Sequence, residues 1–134
     1  MRKLPGILAF LLLVTACREP RSMETFIQGS GPYTFTVDMS DTTAVYDLAL
    51  YTRIDVSSAE IPQHTTLAAR WTSPSGAVLQ ETLTLPLAAG VYEPYRAGVS
   101  PYEAGIWTLT FTLPLPPDGI RGLGLEVKRV SKNN

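Results

Sequence analysis

Residues 106–113 read Ile-Trp-Thr-Leu-Thr-Phe-Thr-Leu, in which the large apolar residues from Trp107 to Leu113 alternate strictly with threonines. Successive side chains of a β-strand point to opposite faces, so the apolar residues share one face and the threonines share the other. A strand with one apolar face and one hydroxyl-bearing face is typical of an antiparallel sheet that is buried on one side only. The stretch therefore predicts a half-buried β-strand.

The same alternation recurs in the rest of the chain. The pattern is found again at residues 33–37, 44–54, 67–71, 77–85 and 123–130. In the first of these, Tyr33, Phe35 and Val37 are predicted to point inward and two threonines outward. In the second, Tyr51 falls on the face opposite to the main apolar series.

A tight turn joins two of these segments. Ser73-Pro74-Ser75-Gly76 combines a proline that presets φ with a glycine that accepts positive φ, which predicts a hairpin. On the return strand Glu81 interrupts the apolar series, which indicates a position at an edge or rim of the sheet.

At least six strands with short turns, and no segment with a period of 3.6 residues, predict an all-β protein. We expect a single domain built as an antiparallel β-sandwich, either jelly-roll or Ig-like, that spans residues 32–130.

The N-terminus has the pattern of a bacterial lipoprotein leader. Two basic residues precede a run of 13 mostly apolar residues that ends at Ala16, which is too short to span a membrane. Leu13-Val14-Thr15-Ala16-Cys17 is similar to a lipobox, so residues 1–16 are predicted to be a cleaved signal peptide and Cys17 the lipidated residue.

Cys17 is the sole cysteine of the chain, so an intramolecular disulfide is excluded. Residues 17–31 are polar and rich in turn residues, which predicts a tether between the lipid and the domain. Several acyl chains on Cys17 would anchor the protein permanently to a membrane of the cell envelope. Arg18 follows the cysteine, and the resemblance to lipoprotein sorting signals implies the outer membrane rather than retention at the inner one.

The composition argues against several classes of function. With 11 basic and 12 acidic residues the chain has no positive excess for binding nucleic acid. His64 is the sole histidine and falls in a predicted exposed loop, so neither a metal site, a cofactor nor a hydrolase triad is predicted. Asp47 is predicted to face solvent, and Gly119–Gly124 enters a strand and lacks the pattern of a phosphate loop.

The segment 86–105 is the most distinctive part of the domain. It carries Tyr92, Tyr95 and Tyr102 among several prolines and glycines, which predicts a long connection between strands. The tyrosines either cover one end of the sandwich or form a contact surface for a protein or a glycan, with Glu93 and Arg96 as its polar rim.

Several segments together resemble one family. The lipobox, residues 33–37, the run Asp41–Arg53 and the closing segments 104–111 and 119–127 are similar to the gliding-motility lipoproteins of the H type found in Bacteroidetes. The chain departs from that pattern at residues 113–118, where Leu-Pro-Leu-Pro-Pro-Asp replaces a polar segment. The resemblance implies a β-domain associated with gliding and with the secretion of surface proteins.

Two functions are compatible with these features. The first is a non-enzymatic, membrane-anchored interaction module that contacts other envelope proteins. The second is a surface lipoprotein that binds a glycan or another ligand through its tyrosine-rich loop.

Overall fold

Strands account for all the regular secondary structure in the computed structural model, which describes residues 21–54, 64–87, 92–117 and 119–131. No helix able to cross a membrane occurs within these ranges. The strands that they contain are β1 (Arg21–Gln28), β2 (Tyr33–Asp38), β3 (Ala44–Ile54), β4 (His64–Thr72), β5 (Val78–Pro86), β6 (Glu93–Val99), β7 (Ile106–Thr112) and β8 (Ile120–Ser131).

The strands form two antiparallel four-stranded sheets. Sheet A has the order β1-β8-β3-β6, and sheet B has the order β2-β7-β4-β5. The first strand pairs with the last, and each following strand pairs with the one before that, in the pairs β1–β8, β2–β7, β3–β6 and β4–β5. The pairs are therefore nested within one another along the sequence. Eight strands nested in this way make a jelly roll. The predicted all-β sandwich is therefore confirmed, with the jelly-roll rather than the Ig-like arrangement.

The core lies between the two sheets and is built from the predicted alternating residues. In sheet B, Tyr33 pairs with Phe111 and Val37 with Trp107, and all four side chains are buried. Directly opposite residues of an antiparallel pair share one face, so these pairs stack side by side against sheet A.

Sheet A supplies the other half of the core. Leu48 pairs with Val127 and Leu50 with Leu125, and both leucines of β3 are almost completely buried. Tyr51 lies on the outer face of the same strand, as predicted, yet is only 5% exposed. Side chains from neighbouring strands must therefore cover it on that outer face.

The predicted hairpin joins β4 to β5. The amide of Gly76 donates to the carbonyl of Ser73 at 2.9 Å, and the φ of Gly76 is 97°. The hydroxyl of Ser73 also accepts from the amide of Ala77 at 3.0 Å. The returning strand β5 is an edge strand of sheet B, which confirms the edge position predicted from Glu81.

Three predictions about chain organisation are wrong. The predicted tether, residues 17–31, includes β1, so sheet A begins at least eleven residues before the predicted domain boundary at residue 32. The predicted long connection at residues 86–105 contains β6, which pairs with β3. His64 is exposed as predicted, but it is the first residue of β4 rather than part of a loop.

Candidate functional site

A cleft of about 680 Å³ opens between the two sheets on the side where β1 faces β2. Its walls come from β1 and β8 of sheet A and from β2 of sheet B, and the β2–β3 loop lies at the end where β1 begins and β2 ends. At the other end the hydroxyl of Tyr33 donates to the carbonyl of Gly29 at 2.6 Å and holds the β1–β2 turn closed. The cleft is therefore open towards the start of β1 and the end of β2.

The floor of the cleft is apolar. Phe35 and Val37 of β2 line it from one side, and Leu125 and Val127 of β8 line it from the other. At its rim stands Met23 of β1, whose side chain is 67% exposed. Met23 pairs with Val127 and so shares its inward face, but among the described strands none lies beyond β1 in sheet A to cover it.

Polar residues of the β2–β3 loop form the mouth of the cleft. Asp38 accepts from the amide and the hydroxyl of Ser40, and these bonds hold the pKa of its carboxyl below the usual value. Asp41 accepts in the same way from Thr43, which likewise lowers its pKa. Arg129 lies 3.7 Å from Asp41 and faces both carboxylates across the mouth.

Sequence reasoning did not identify this cleft. Its lining residues fall in β1, which was predicted to be a tether, and in strands that were predicted to be core. One signal was present: Met23 is a large apolar residue in a segment that is otherwise mostly polar.

Tyr92, the first of the predicted contact residues, lies on the outer face of sheet A. Its ring packs against Tyr51 at a centroid distance of 4.6 Å, and Tyr51 stacks on Phe26 at 6.0 Å. Its hydroxyl donates to Glu24, which lowers the pKa of that carboxyl. Burial, with a smaller contribution from Glu24, raises the pKa of Tyr51 to about 12. These contacts explain why Tyr51 is buried.

Tyr95 instead points between the sheets, where it closes the side opposite to the cleft. Its ring packs against Phe111 at 5.6 Å, and its hydroxyl accepts from the indole Nε1 of Trp71 at 2.7 Å. The same hydroxyl donates to Glu81 of β5, which also forms an ion pair with Arg96. Burial and the bond to Glu81 raise the pKa of Tyr95. Glu81 thus joins the edges of the two sheets.

Replacement of Tyr95 by phenylalanine is expected to lower the free energy of unfolding by about 1–2 kcal/mol, because the buried indole of Trp71 then loses its acceptor. The measurement is urea unfolding monitored by tryptophan fluorescence. Tyr102→Phe is the matched control, since Tyr102 is 78% exposed and should tolerate the change. Equal stability of the two variants would contradict this role for the Tyr95 hydroxyl.

The remaining predicted contact residues are separate from the first two. Tyr102 packs its ring edge-to-face on Trp107 at 5.4 Å, in the connection between β6 and β7. Glu93 is half-buried at the start of β6, where it pairs with Leu50. The structure therefore does not bring Tyr92, Tyr95 and Tyr102 together into one surface.

Comparisons with known proteins add little to this description. No family model matches the sequence, and no curated protein matches it. Among solved structures, one of the infectious bursal disease virus Gx strain is similar with a TM-score of 0.40 and 12% identity over 87% of this chain and 33% of that chain. The VP2 subviral particle of the same virus gives 0.38 and 13% over 87% and 34%. This chain thus spans about a third of the length of those viral chains. The jelly-roll architecture is therefore assigned from the order of its own strands.

Of the other residues singled out from the sequence, Asp47 has a structural contact and Cys17 lies outside the described residues. Asp47 is half-buried on the outer face of β3 and accepts from the amide of Gly98 at 2.7 Å, which ties β3 to β6. Within the described ranges, no three His, Cys, Asp or Glu residues come close enough to hold a metal ion. Cys17 and the predicted signal peptide lie outside the described residues.

Proposed function

We propose that this protein is a lipid-anchored, non-enzymatic interaction module of the bacterial cell envelope, attached to the outer membrane through Cys17. The lipobox at residues 13–17 supports the anchor. The resemblance of the strand segments to gliding-motility lipoproteins of the H type supports a role in an assembly that moves or secretes surface proteins.

The observation that carries the proposal is the position of the cleft relative to the anchor. β1 begins four positions after Cys17. Even a fully extended chain of that length spans only about 14 Å. Arg21, the first residue of β1, pairs with Arg129, which lines the mouth of the cleft. The anchor would therefore hold the open end of the cleft close to the membrane surface, where other anchored or membrane-embedded proteins are found.

Replacement of Cys17 by serine is expected to abolish lipid attachment, because the thiol is the atom that carries the diacylglyceryl group. In cells given an alkyne analogue of palmitate, the native protein should be labelled and should sediment with membranes. The variant should be unlabelled, and it should be released from the membrane or accumulate as an unprocessed precursor.

Lys128→Ala is the control for expression and fractionation, since Lys128 is exposed and its ion pair with Glu126 is long, at 3.8 Å. This variant should be labelled and should sediment like the native protein. Normal cleavage and unchanged membrane association of Cys17→Ser would refute the anchor.

Crosslinking in living cells tests the assembly role. A photoreactive amino acid at position 23, at the rim of the cleft, should capture components of envelope secretion or motility, whereas the same group at position 128 should not. Capture of polysaccharide-uptake proteins would favour the second candidate, a glycan-binding lipoprotein. That candidate is favoured by the exposed ring of Tyr92 above Tyr51 and Phe26 on the outer face of sheet A.

A further inference from the structure

No strand of the described chain pairs with the outer edge of β1. Among the described residues β1 pairs with β8 alone, through eight consecutive residue pairs without a bulge. In such a ladder the backbone groups of every second residue point away from the partner strand. Proteins usually protect such edges with proline, bulges or inward-pointing charges. β1 has no proline, and its inward positions carry Met23, Thr25 and Ile27.

The other edge of sheet A differs in each of these respects. β6 contains Pro94, and its register with β3 shifts twice. Its side chains also reach across to sheet B, where Tyr95 and Arg96 both bind Glu81. The sandwich is therefore closed by side chains on the β5–β6 side and open on the β1–β2 side.

Charge at the open side favours a basic partner. Asp38 and Asp41 stand at the mouth of the cleft, and both carboxyls have a lowered pKa, so they are ionised at neutral pH. Among the described side chains that line the cleft, Arg129 is the one basic residue, so this lining carries two carboxylates and one positive charge. A lysine or arginine from a partner would supply the missing positive charge.

We infer that β1 accepts an extended segment of a partner protein as an added strand, whose alternate apolar side chains fill the cleft and whose basic residue lies beside Asp38 and Asp41. This inference deepens the proposed function and rests on it, since it names the class of partner that the interaction module binds. Strand addition takes its affinity from backbone hydrogen bonds and its specificity from pockets for alternate side chains. Six residues of such a strand extend for about 20 Å and place three side chains in the cleft.

The test begins with selection of a peptide. The full-length protein is captured through a tag after Asn134 in the presence of lipid nanodiscs, so that capture does not depend on Cys17. A display library of random ten-residue peptides is then panned against it. The expected result is enrichment of peptides with apolar residues at alternate positions and a lysine or arginine near one end. No enrichment over empty nanodiscs would overturn the inference.

Variants then locate the binding site of the selected peptide. Met23→Arg fills the rim of the cleft and repels a basic peptide, so fluorescence anisotropy should show at least a tenfold weaker affinity. Leu79→Arg is the matched control, because Leu79 is a similarly exposed apolar residue (62%, against 67% for Met23) on the edge strand β5. Affinity for Leu79→Arg should stay within twofold of the native value. An equal loss in both variants, or in neither, would overturn the inference.

A modified peptide tests the backbone pairing itself. Every second backbone amide of the bound peptide would donate to β1. Methylation of these amide nitrogens removes the donors that strand addition requires, so the peptide should no longer bind. Methylation of the other set should leave binding within a fewfold range. Binding that survives both modifications would mean that the cleft takes apolar groups without adding a strand, which contradicts the inference.

Two other occupants are separate outcomes that would overturn it. A dimer in solution that Met23→Arg dissociates would identify a second copy of this chain as the partner of β1. A copurified acyl chain that native mass spectrometry detects, and that Met23→Arg removes, would identify a lipid. None of these results depends on membrane attachment, so the inference can fail while the Cys17 anchor stands, and the anchor can fail while peptide binding stands.

Discussion

Replacement of Phe111 by alanine is expected to lower the free energy of unfolding by about 4 kcal/mol. Phe111 has no exposed surface, and its ring contacts Phe35 at 5.9 Å and Tyr95 at 5.6 Å. These partners belong to β2 and to β6, so the ring joins its own sheet to the opposite one. Its removal leaves a cavity that neither sheet can fill without moving the other.

A loss of this size is a large part of the 5–15 kcal/mol that typically stabilises a domain. Urea unfolding monitored by tryptophan fluorescence and by circular dichroism measures it. Thr112→Ala is the control, because Thr112 follows Phe111 in β7 but is exposed on the outer face of the sheet, and its change should cost less than 0.5 kcal/mol. A similar midpoint for both variants would show that Phe111 is not at the centre of the core.

Replacement of Gly124 by valine is expected to lower the free energy of unfolding by about 3 kcal/mol, although valine is normally favourable in a strand. Gly124 pairs with Tyr51 across β8 and β3, and a Cβ atom on it would overlap the tyrosine ring. The same ring packs against Phe26 and Tyr92, so it cannot move away from the glycine without disturbing those contacts.

A double-mutant cycle isolates this contact. Once Tyr51→Ala has removed the ring, Gly124→Val should change stability by less than 1 kcal/mol or raise it, because the three atoms nearest to the added Cβ all belong to that tyrosine side chain. Lys128→Val is the control for a valine on the outer face of β8, and it should be nearly neutral. An unchanged cost of Gly124→Val without the tyrosine would refute the steric explanation.

The sequence predicts the half-buried strands of this fold well because a single face of each is apolar. In β7 and the residue that follows it, the inward side chains from Trp107 to Leu113 are all buried, and the register of β2 against β7 follows the same alternation. β1 was not predicted as a strand because its two faces differ little: Phe26 adds an apolar residue to the outer face, while Met23 and Thr25 on the inner face remain exposed. β6 was not predicted as a strand because it contains Pro94 and Gly98, which are residue types typical of loops.

The candidate site was harder to predict than the fold. A cleft between two sheets depends on which strands lie at the sheet edges, and alternation within one strand does not contain that information. The tyrosines show the same limit. Tyr92 and Tyr95 are three residues apart, and an odd separation puts two side chains on opposite faces of an extended chain, so Tyr92 covers the outer face of sheet A and Tyr95 enters the core. This could not be foreseen while the segment was predicted to be a loop.

The nested pairing of the strands also determines when the domain can become complete. β4 and β5 are joined by a short turn and can pair as soon as both exist, but each outer pair must close a longer loop than the pair inside it. The outermost pair, β1 with β8, unites the first and last strands of the described chain. Proteins dominated by such distant contacts fold in milliseconds to seconds. As the chain is synthesised, β1 therefore cannot complete its pairing, and its apolar side chains stay uncovered, until β8 has been made.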